Sequence, residues 1–457
     1  MKSVTKKALT VALLLLFAFV AFMQNNLNPD RNRFQPGEVT NIEIGGQFIA
    51  ATLIGLREVV AGLLWVRCDT FFHQGNYDAV VPIVRIVTWL DPKQIDVYDT
   101  GAWHLSYNFT DSQERSDRRY IPASRALLRE GIANNPNVFD LYFQLGWLNF
   151  HKVQDGELAV PWFTEANIRP RIDPATGLPV MRPQYVGHAL AHSFEKAGEI
   201  DRAIQQWREN LKSNLDYIQQ YEQESGNLSM VHVAENNLAR LMLKKRLRQQ
   251  LAPVQQVNFE AYYQILSPRR FRVWGTLDLP DGARVKMRLT DKDFQEEQMD
   301  TFTWNVDPNQ TVLEDSLYVR DGRFGRTIDI ERDSALYPLK ADQYRLTFTF
   351  DPRWAPDNIQ ANSREGGAMV LLERLLRNYR NEGNPIIAYD QLTRMVETAA
   401  NATNLPDPDE DSPTGNPTRF GAIGWLGNGL AVQPNLVQRG PLRMLERSFI
   451  LNRSDLL

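Results

Sequence analysis

The sequence predicts a multidomain α+β protein: an N-terminal membrane helix, an α-solenoid of helix pairs, then an antiparallel β-sandwich and C-terminal helices. Three observations predict it. A lysine-flanked apolar run opens the chain, a helix–turn–helix rhythm recurs through the first half, and near Pro253 the apolar period changes from helical to alternating. At 457 residues the chain is too long for one compact domain, because single cores stop growing near about 250–300 residues. A hydrophobic content of 43% with 23% charged residues is that of a globular protein. The formal charge of −4 gives no electrostatic footprint for DNA or RNA, so no nucleic-acid partner is expected.

Residues 1–25 read as a signal anchor. Lys2, Lys6 and Lys7 precede an apolar run of 16 residues, Ala8 to Met23. That is short of the roughly 20 that span a bilayer, and the polar flank Gln24, Asn25 and Asn26 lets it span by snorkelling or local thinning. The exit Val20-Ala21-Phe22-Met23-Gln24 places bulky side chains where a cleavage site wants small ones, which favours an uncleaved anchor over a removed signal. On either reading the lysines stay cytoplasmic and the bulk of the chain crosses. In a bacterium this is a single-pass inner-membrane protein with its soluble part in the periplasm. A second apolar stretch, Phe48 to Trp65, contains Arg57 and Glu58; charges at a helix centre are costly in lipid, so it reads as soluble core helices. The single cysteine, Cys68, excludes an internal disulfide and a multi-cysteine zinc site. Its neighbours Leu64-Trp65-Val66-Arg67 put it inside a helix, where a thiol acts as a small hydrophobe.

Residues 45–250 carry the repeats. Phe71-Phe72-His73-Gln74-Gly75-Asn76-Tyr77-Asp78, then Val80, Val84, Val87 and Leu90-Asp91-Pro92, describe a helix, a tight turn, a second helix and a proline stop. Gly75 tolerates the turn backbone, Val80 and Val87 allow close helix approach, and Pro92 ends the helix. Phe194, Gly198, Ile200, Ala203 and Trp207 give the cleanest copy. A middle copy has Leu145-Gly146 on one helix and Ala159, Phe163 and Ala166 on the next; a further second helix, Ser124 to Leu128, closes at Asn135-Pro136. This pattern resembles the tetratricopeptide repeat, with Gly75, Tyr77, Pro92, Pro136, Ala159, Gly198 and Ala203 as its defining positions. The small positions Val80, Ser124, Ala159 and Ala203 lie 44, 35 and 44 residues apart, against a family period of about 34. A charged insertion, Thr110 to Arg119, and a proline-rich one, Arg169 to Pro183, account for the excess. A longer run also resembles a known pattern. Leu56-Arg57-Glu58, Leu64-Trp65-Val66-Arg67, Gly75-Asn76-Tyr77, Trp89-Leu90-Asp91-Pro92 and Ala102 to Asn108 look like bacterial membrane-anchored envelope proteins that carry such repeats directly after the anchor. That resemblance covers roughly residues 45–215. It implies topology and a scaffold fold, and it brings no activity.

The helical pattern ends in the basic run Lys244-Lys245-Arg246-Leu247-Arg248, which reads as a solvated face or a surface for anionic lipid. Residues 254–353 then alternate. Phe271, Val273, Leu277 and Leu279, the turn Pro280-Asp281-Gly282, and Val285, Met287 and Leu289 are followed by Ile328 to Ile330 and Tyr344 to Phe350. Short strands between turns indicate a β-sandwich. Gly275 to Gly282 resembles the opening hairpin of immunoglobulin-like or prealbumin-like modules, which implies binding or spacing. Residues 361–403 return to helical spacing with Met369, Leu372, Leu375, Leu376, Tyr379, Leu392 and Val396. Residues 404–418 read as an acidic flexible linker. Residues 419–457, with Trp425, Leu426, Leu430, Leu442, Leu445, Phe449 and Ile450, are an apolar segment expected to dock on its own protein or on a partner.

Chemistry is sparse. His188 and His192 share a helix face, as two metal ligands can, but the glutamate of a zinc protease motif is absent and the repeat frame explains both. Asp407, Asp409, Glu410 and Asp411 lack the glycine and glutamate spacing of a calcium loop. No phosphate loop and no nucleophile elbow occurs. The expectation is therefore a non-enzyme with no catalytic residue, cofactor or metal. It is a membrane-anchored scaffold for envelope or membrane proteins in assembly, secretion or export. Trp103, Tyr107, Tyr142 and Trp147 are candidates for a concave binding face, or else packing residues between helices. The alternative is a carbohydrate- or ligand-binding accessory subunit that uses the sandwich. A hydrolase would require perturbed carboxylates clustered in a polar cleft at the domain junction.

Overall fold

The structure is a computed structural model and describes residues 44–108, 120–172, 176–180, 182–221, 228–248, 254–295, 309–331, 334, 337–408 and 420–457. The expected anchor (1–25), the insertion at 110–119 and most of the acidic linker lie outside the described residues. Among the described residues, no helix is long and apolar enough to cross a membrane. The chain divides into two compact units: residues 1–103 with 133–136, and residues 104–132 with 137–457.

In the first unit, α1 (Ile44–His73) and α2 (Tyr77–Leu90) form an antiparallel pair followed by α3 (Ile95–Trp103). The apolar stretch Phe48 to Trp65 lies within this first helix, which runs for 30 residues. Gly75 makes the turn with φ of +71°, a left-handed backbone that favours glycine. Its N–H donates to the Phe72 carbonyl at 3.0 Å and the Asn76 N–H donates to Phe71 at 3.0 Å, the paired bonds that close a helix end. Val80, Val84 and Val87 lie buried along one side of α2, and Cys68 of α1 is buried with them. Burial, with Asp69 adding to it, pushes the Cys68 thiol up to about 11, so it stays protonated and unreactive. Residues 133–136 are tied in by Asn135 Nδ2, which donates to the Pro92 carbonyl at 3.0 Å, and by Lys93 Nζ, which donates to the Asn134 carbonyl at 2.5 Å.

The second unit opens with a helical stack. It contains the body of α4 (Ile121–Asn134), then α5 (Phe139–Trp147), α6 (Gly156–Ile168), α7 (Gln184–Ala197), α8 (Ile200–Tyr221) and α9 (Ser229–Arg248). From α5 onward each helix packs on the next. The turn of the first unit recurs at Gly198, with φ of +89° and the bonds Gly198 N–H to Glu195 O (3.1 Å) and Glu199 N–H to Phe194 O (2.9 Å). Ser124, Ala159 and Ala203 are fully buried, where a larger side chain would separate the helices. Two glycines set the approach of α6. A Cβ on Gly146 would stand 2.7 Å from the Phe163 ring, and one on Gly156 would stand 2.7 Å from the backbone of Lys196 and Ala197. Backbone does not yield as a side chain does, so Gly156→Ala should destabilise the unit by about 1–3 kcal/mol. Urea unfolding followed by circular dichroism checks this; an unchanged midpoint would refute the close packing of α6 on α7. The proline-rich insertion forms a small hairpin, β1 (Arg171–Ile172) and β2 (Pro179–Val180).

The sandwich has two antiparallel sheets. One is three-stranded, in the order β3 (Phe259–Ser267), β4 (Arg270–Leu277), β7 (Arg323–Asp329). The other has the order β6 (Val312–Tyr318), β5 (Arg284–Asp291), β8 (Gln343–Phe350), β10 (Leu442–Asn452), β9 (Leu436–Arg439). Phe271 and Val273 meet Val285, Met287, Leu346, Phe348 and Phe350 in one core. The apolar segment at 419–457 supplies β9 and β10, so the sheet draws two strands from the end of the chain. Residues between the two sets of strands form the short α10 (Asp357–Gln360) and then α11 (Ser363–Asn381) and α12 (Tyr389–Asn401). Leu372, Leu376, Leu392 and Val396 of the last two helices share a core with Leu238 and Leu241 of α9. They extend the helical stack and do not cover the sheet. A brief final turn, α13 (Arg453–Leu456), closes the chain.

Candidate functional site

The second unit carries a ladder of aromatic rings on its helical stack. Phe143, Trp147 and His151 recur every fourth residue, the spacing that aligns side chains on one helix face. The Trp147 and His151 rings stack with centroids 5.1 Å apart and planes at 5°, and Phe143 stacks on Trp147 at 6.1 Å and 16°. Tyr185 of α7 meets Phe143 edge-on at 4.8 Å, and Tyr107 lies 5.7 Å from His151 at the other end. The helix widens to a π turn over Leu148–Val153, a local geometry often found at functional positions. Buried Asn149 pins that turn: its Nδ2 donates to the Leu145 carbonyl and its Oδ1 accepts from Arg125 Nε, both at 3.0 Å. Another π turn, His104–Asn108, holds Tyr107 and is pinned by the buried Ser106–Ser124 hydroxyl pair at 2.7 Å.

The electrostatics of the ladder suit stacking. Partial desolvation by the neighbouring rings and then the charge of Lys152 push the His151 imidazole below its usual range, so it is neutral at neutral pH. Lys152 Nζ lies 5.5 Å from the Tyr107 ring. Tyr185 and His151 are exposed while Phe143, Trp147 and Tyr107 are half-buried. Such a row offers aromatic faces and edges of the kind on which planar or apolar groups stack.

The first unit presents a different surface. Val59, Leu63 and Val66 occupy one line of α1 at spacings of four and three, with Leu63 and Val66 each 67% exposed. Trp89 of α2 is 58% exposed and Ile86 lies one turn before it. Exposed apolar side chains lined up on one helix face are what an interaction surface presents.

Of the four aromatics expected to form one binding face, Tyr107 and Trp147 both belong to the ladder, joined through His151. Tyr142 is buried beside Trp162, its hydroxyl accepts from Arg169 Nη2 at 3.0 Å, and the guanidinium lies over its ring at 3.8 Å. That is a packing position. Trp103 stands in the first unit, 44% exposed at the end of α3. Phe143, His151 and Tyr185 complete the ladder and lie outside the expected face, although the fourfold spacing of Phe143, Trp147 and His151 is a signal present in the sequence. Val59, Leu63 and Val66 are not singled out by the sequence, because α1 is apolar on most sides and its pattern does not say which side meets water.

The two histidines of α7 have packing partners. His188 Nε2 bonds Asn214 Nδ2 at 3.0 Å, and both rings lie against Trp207 at 5.0 and 4.9 Å. Among the described residues, no group of three or more histidine, cysteine, aspartate or glutamate side chains is placed to hold a metal ion. Asp409, Glu410 and Asp411 lie outside the described residues.

The chain matches no protein-family model. No curated protein matches it either. Among solved structures, the crystal structure of MamA protein aligns with 43% of this chain and 86% of its own, at 13% identity and a TM-score of 0.27.

Proposed function

We propose that the protein is a non-catalytic scaffold that holds protein partners on its helical surfaces. The observation that carries this reading is the set of exposed apolar side chains on α1 and α2: the line Val59, Leu63 and Val66, and separately Trp89. Each such side chain left in water forgoes about 1.5–3 kcal/mol of burial, and a partner's apolar face would recover it. The aromatic ladder offers a second place to engage an extended segment. Stacked helix pairs serve this role because they present long surfaces with little rearrangement. In this proposal the segment Ala8 to Met23, led by Lys2, Lys6 and Lys7, anchors the chain in a bacterial inner membrane with both units in the periplasm. Its partners are then envelope or membrane proteins.

Site-specific photo-crosslinking in native membranes tests the reading. A photoreactive residue at Trp89 should give one discrete protein adduct. That adduct should disappear when Leu63 and Val66 are both changed to glutamate, with the circular dichroism spectrum unchanged. Adducts to lipid alone, or none, would overturn the scaffold reading.

A further inference from the structure

The five-stranded sheet buries one face in the sandwich, and its other face holds an open trough of about 500 Å³. The alternation of β5 makes it. Val285, Met287 and Leu289 point to the core, so Arg284, Lys286, Arg288 and Thr290 all rise from the opposite face, with Lys292 just beyond the strand. On β8 the same face carries Arg345, Thr347, Thr349 and Asp351. Register places Lys286 opposite Thr349 and Thr290 opposite Arg345. Short threonines thus form a floor between long cationic side chains.

Most of the acids at this trough already hold a partner. Asp351 and Glu157 both take Arg353, at 2.7 and 3.0 Å, and Glu446 pairs with Arg439 at 4.0 Å. Glu314 takes Arg288 at 3.0 Å, and Asp155 accepts the Leu158 N–H at 3.0 Å to cap α6. Asp293 stands at the exposed rim. Arg284 bonds the neutral Ser316 hydroxyl at 3.4 Å and Lys292 bonds Gln343 Oε1 at 2.9 Å. The side chains of Lys286 and Arg345 make no hydrogen bond or salt bridge to a described residue. Burial pushes the Lys286 ammonium below the ordinary lysine range; Asp155 and Glu314 oppose that shift, while Arg284 and Arg288 reinforce it. A cation kept partly desolvated without an acceptor gains most when an anion arrives.

We infer that this trough binds a small elongated ligand bearing a carboxylate or phosphate at each end, one held by Lys286 with Thr349 and the other by Arg345 with Thr290 and Lys292. The two poles stand four residues apart along β5, about 13 Å at the rise of a strand, less the inward reach of two long side chains. Arginine supplies a forked pair of donors and lysine a point charge, which suits either oxyanion. The threonine hydroxyls between them can bond the hydroxyls of a sugar. A linked pair of uronic acids and a sugar bisphosphate share this chemistry.

Isothermal titration of the full chain with digalacturonate, with fructose 1,6-bisphosphate, and with neutral lactose tests the inference. One of the two charged probes should bind and lactose should not; which of them binds identifies the oxyanion. Lys286→Met should weaken that probe by about tenfold or more, the worth of a charged hydrogen bond. Arg345→Met should reduce it to the affinity of a single oxyanion, measured with galacturonate or inorganic phosphate. Lys286→Met should also keep or raise the thermal midpoint, because it removes a partly desolvated cation whose side chain has no direct acceptor. No saturation by either charged probe at millimolar concentration would overturn the inference. So would unchanged binding by Lys286→Met, or a fall in its thermal midpoint, which would make Lys286 a structural residue. These outcomes are independent of the partner surfaces on the helical stack.

Discussion

Glu235→Ala should destabilise the second unit by about 3–5 kcal/mol, the loss expected when one member of a buried ion pair is removed. Glu235 of α9 is fully buried. Its Oε2 accepts from Arg380 Nη2 at 2.6 Å and its Oε1 accepts from the Ile387 N–H at 2.6 Å. Arg380 also donates to Asn236 Oδ1 at 2.8 Å, and His232 Nε2 bonds the Pro385 carbonyl at 2.7 Å. The first turns of α9 are thereby fastened to the end of α11 and the loop that leads to α12. Removing the carboxylate leaves the half-buried Arg380 guanidinium with Asn236 as its remaining partner and strands the buried Ile387 N–H, and an orphaned group costs more than the bond itself contributed. Glu235→Gln should lose less, since its amide oxygen can still accept from Ile387. The double variant Glu235→Leu with Arg380→Met should recover much of the loss, because it leaves no charge behind. Chemical unfolding of the three variants decides the matter. A loss below about 1 kcal/mol for Glu235→Ala would show the pair behaving like an exposed one.

That bond set also shows where sequence reasoning stops. Spacing marked Leu372, Leu376, Leu392 and Val396 as an inward face, but nothing in spacing says inward against what. The face meets α9, across the whole sandwich in sequence. Strand β10 was hidden for a different reason. Its core side reads Leu445, Arg447, Phe449 and Leu451, and Arg447 breaks the alternation. The arginine is tolerated because its guanidinium lies over the Tyr262 and Phe449 rings, at 5.6 and 5.5 Å. Met444 is buried on the other side, where it lines the trough. The helix pairs were legible because Gly75 and Gly198 are demanded by left-handed turns and the small residues by close approach, both local requirements. The trough was half legible. Val285, Met287 and Leu289 announced a strand, and the same alternation places Arg284, Lys286 and Arg288 together on the far face. Only the register with β8 adds the threonine floor and Arg345.

Acidification should weaken the protein in two separable steps, of which His188 makes the first. Burial and then the charge of His192 push the His188 imidazole down to about 4, from about 6.5 in an unfolded chain. The hydrogen bonds explain why the ring resists a proton. Asn214 Nδ2 donates both to His188 Nε2 at 3.0 Å and to the Met230 carbonyl at 2.9 Å, so the amide presents its donor side and Nε2 must accept. Protonation would set two donors against each other. Because the folded state stays neutral where the unfolded state takes up a proton, stability falls as pH drops from about 6.5 to about 4 and is flat below. The loss is on the order of 3 kcal/mol. Glu195 acts lower. Burial alone would raise its carboxyl, but Lys244 at 3.0 Å, the His192 ring beside it at 3.9 Å and the charge of Lys196 together hold it well below the usual carboxylate range. Its contribution is complete above about 4.3, the unfolded value, and is lost as pH falls below that. Urea unfolding across this pH range should show both steps. His188→Gln should abolish the upper one and leave the lower, since its amide oxygen can accept from Asn214 in the same place. Glu195→Gln should do the reverse. An upper slope that survives in His188→Gln would assign the first step to some other group.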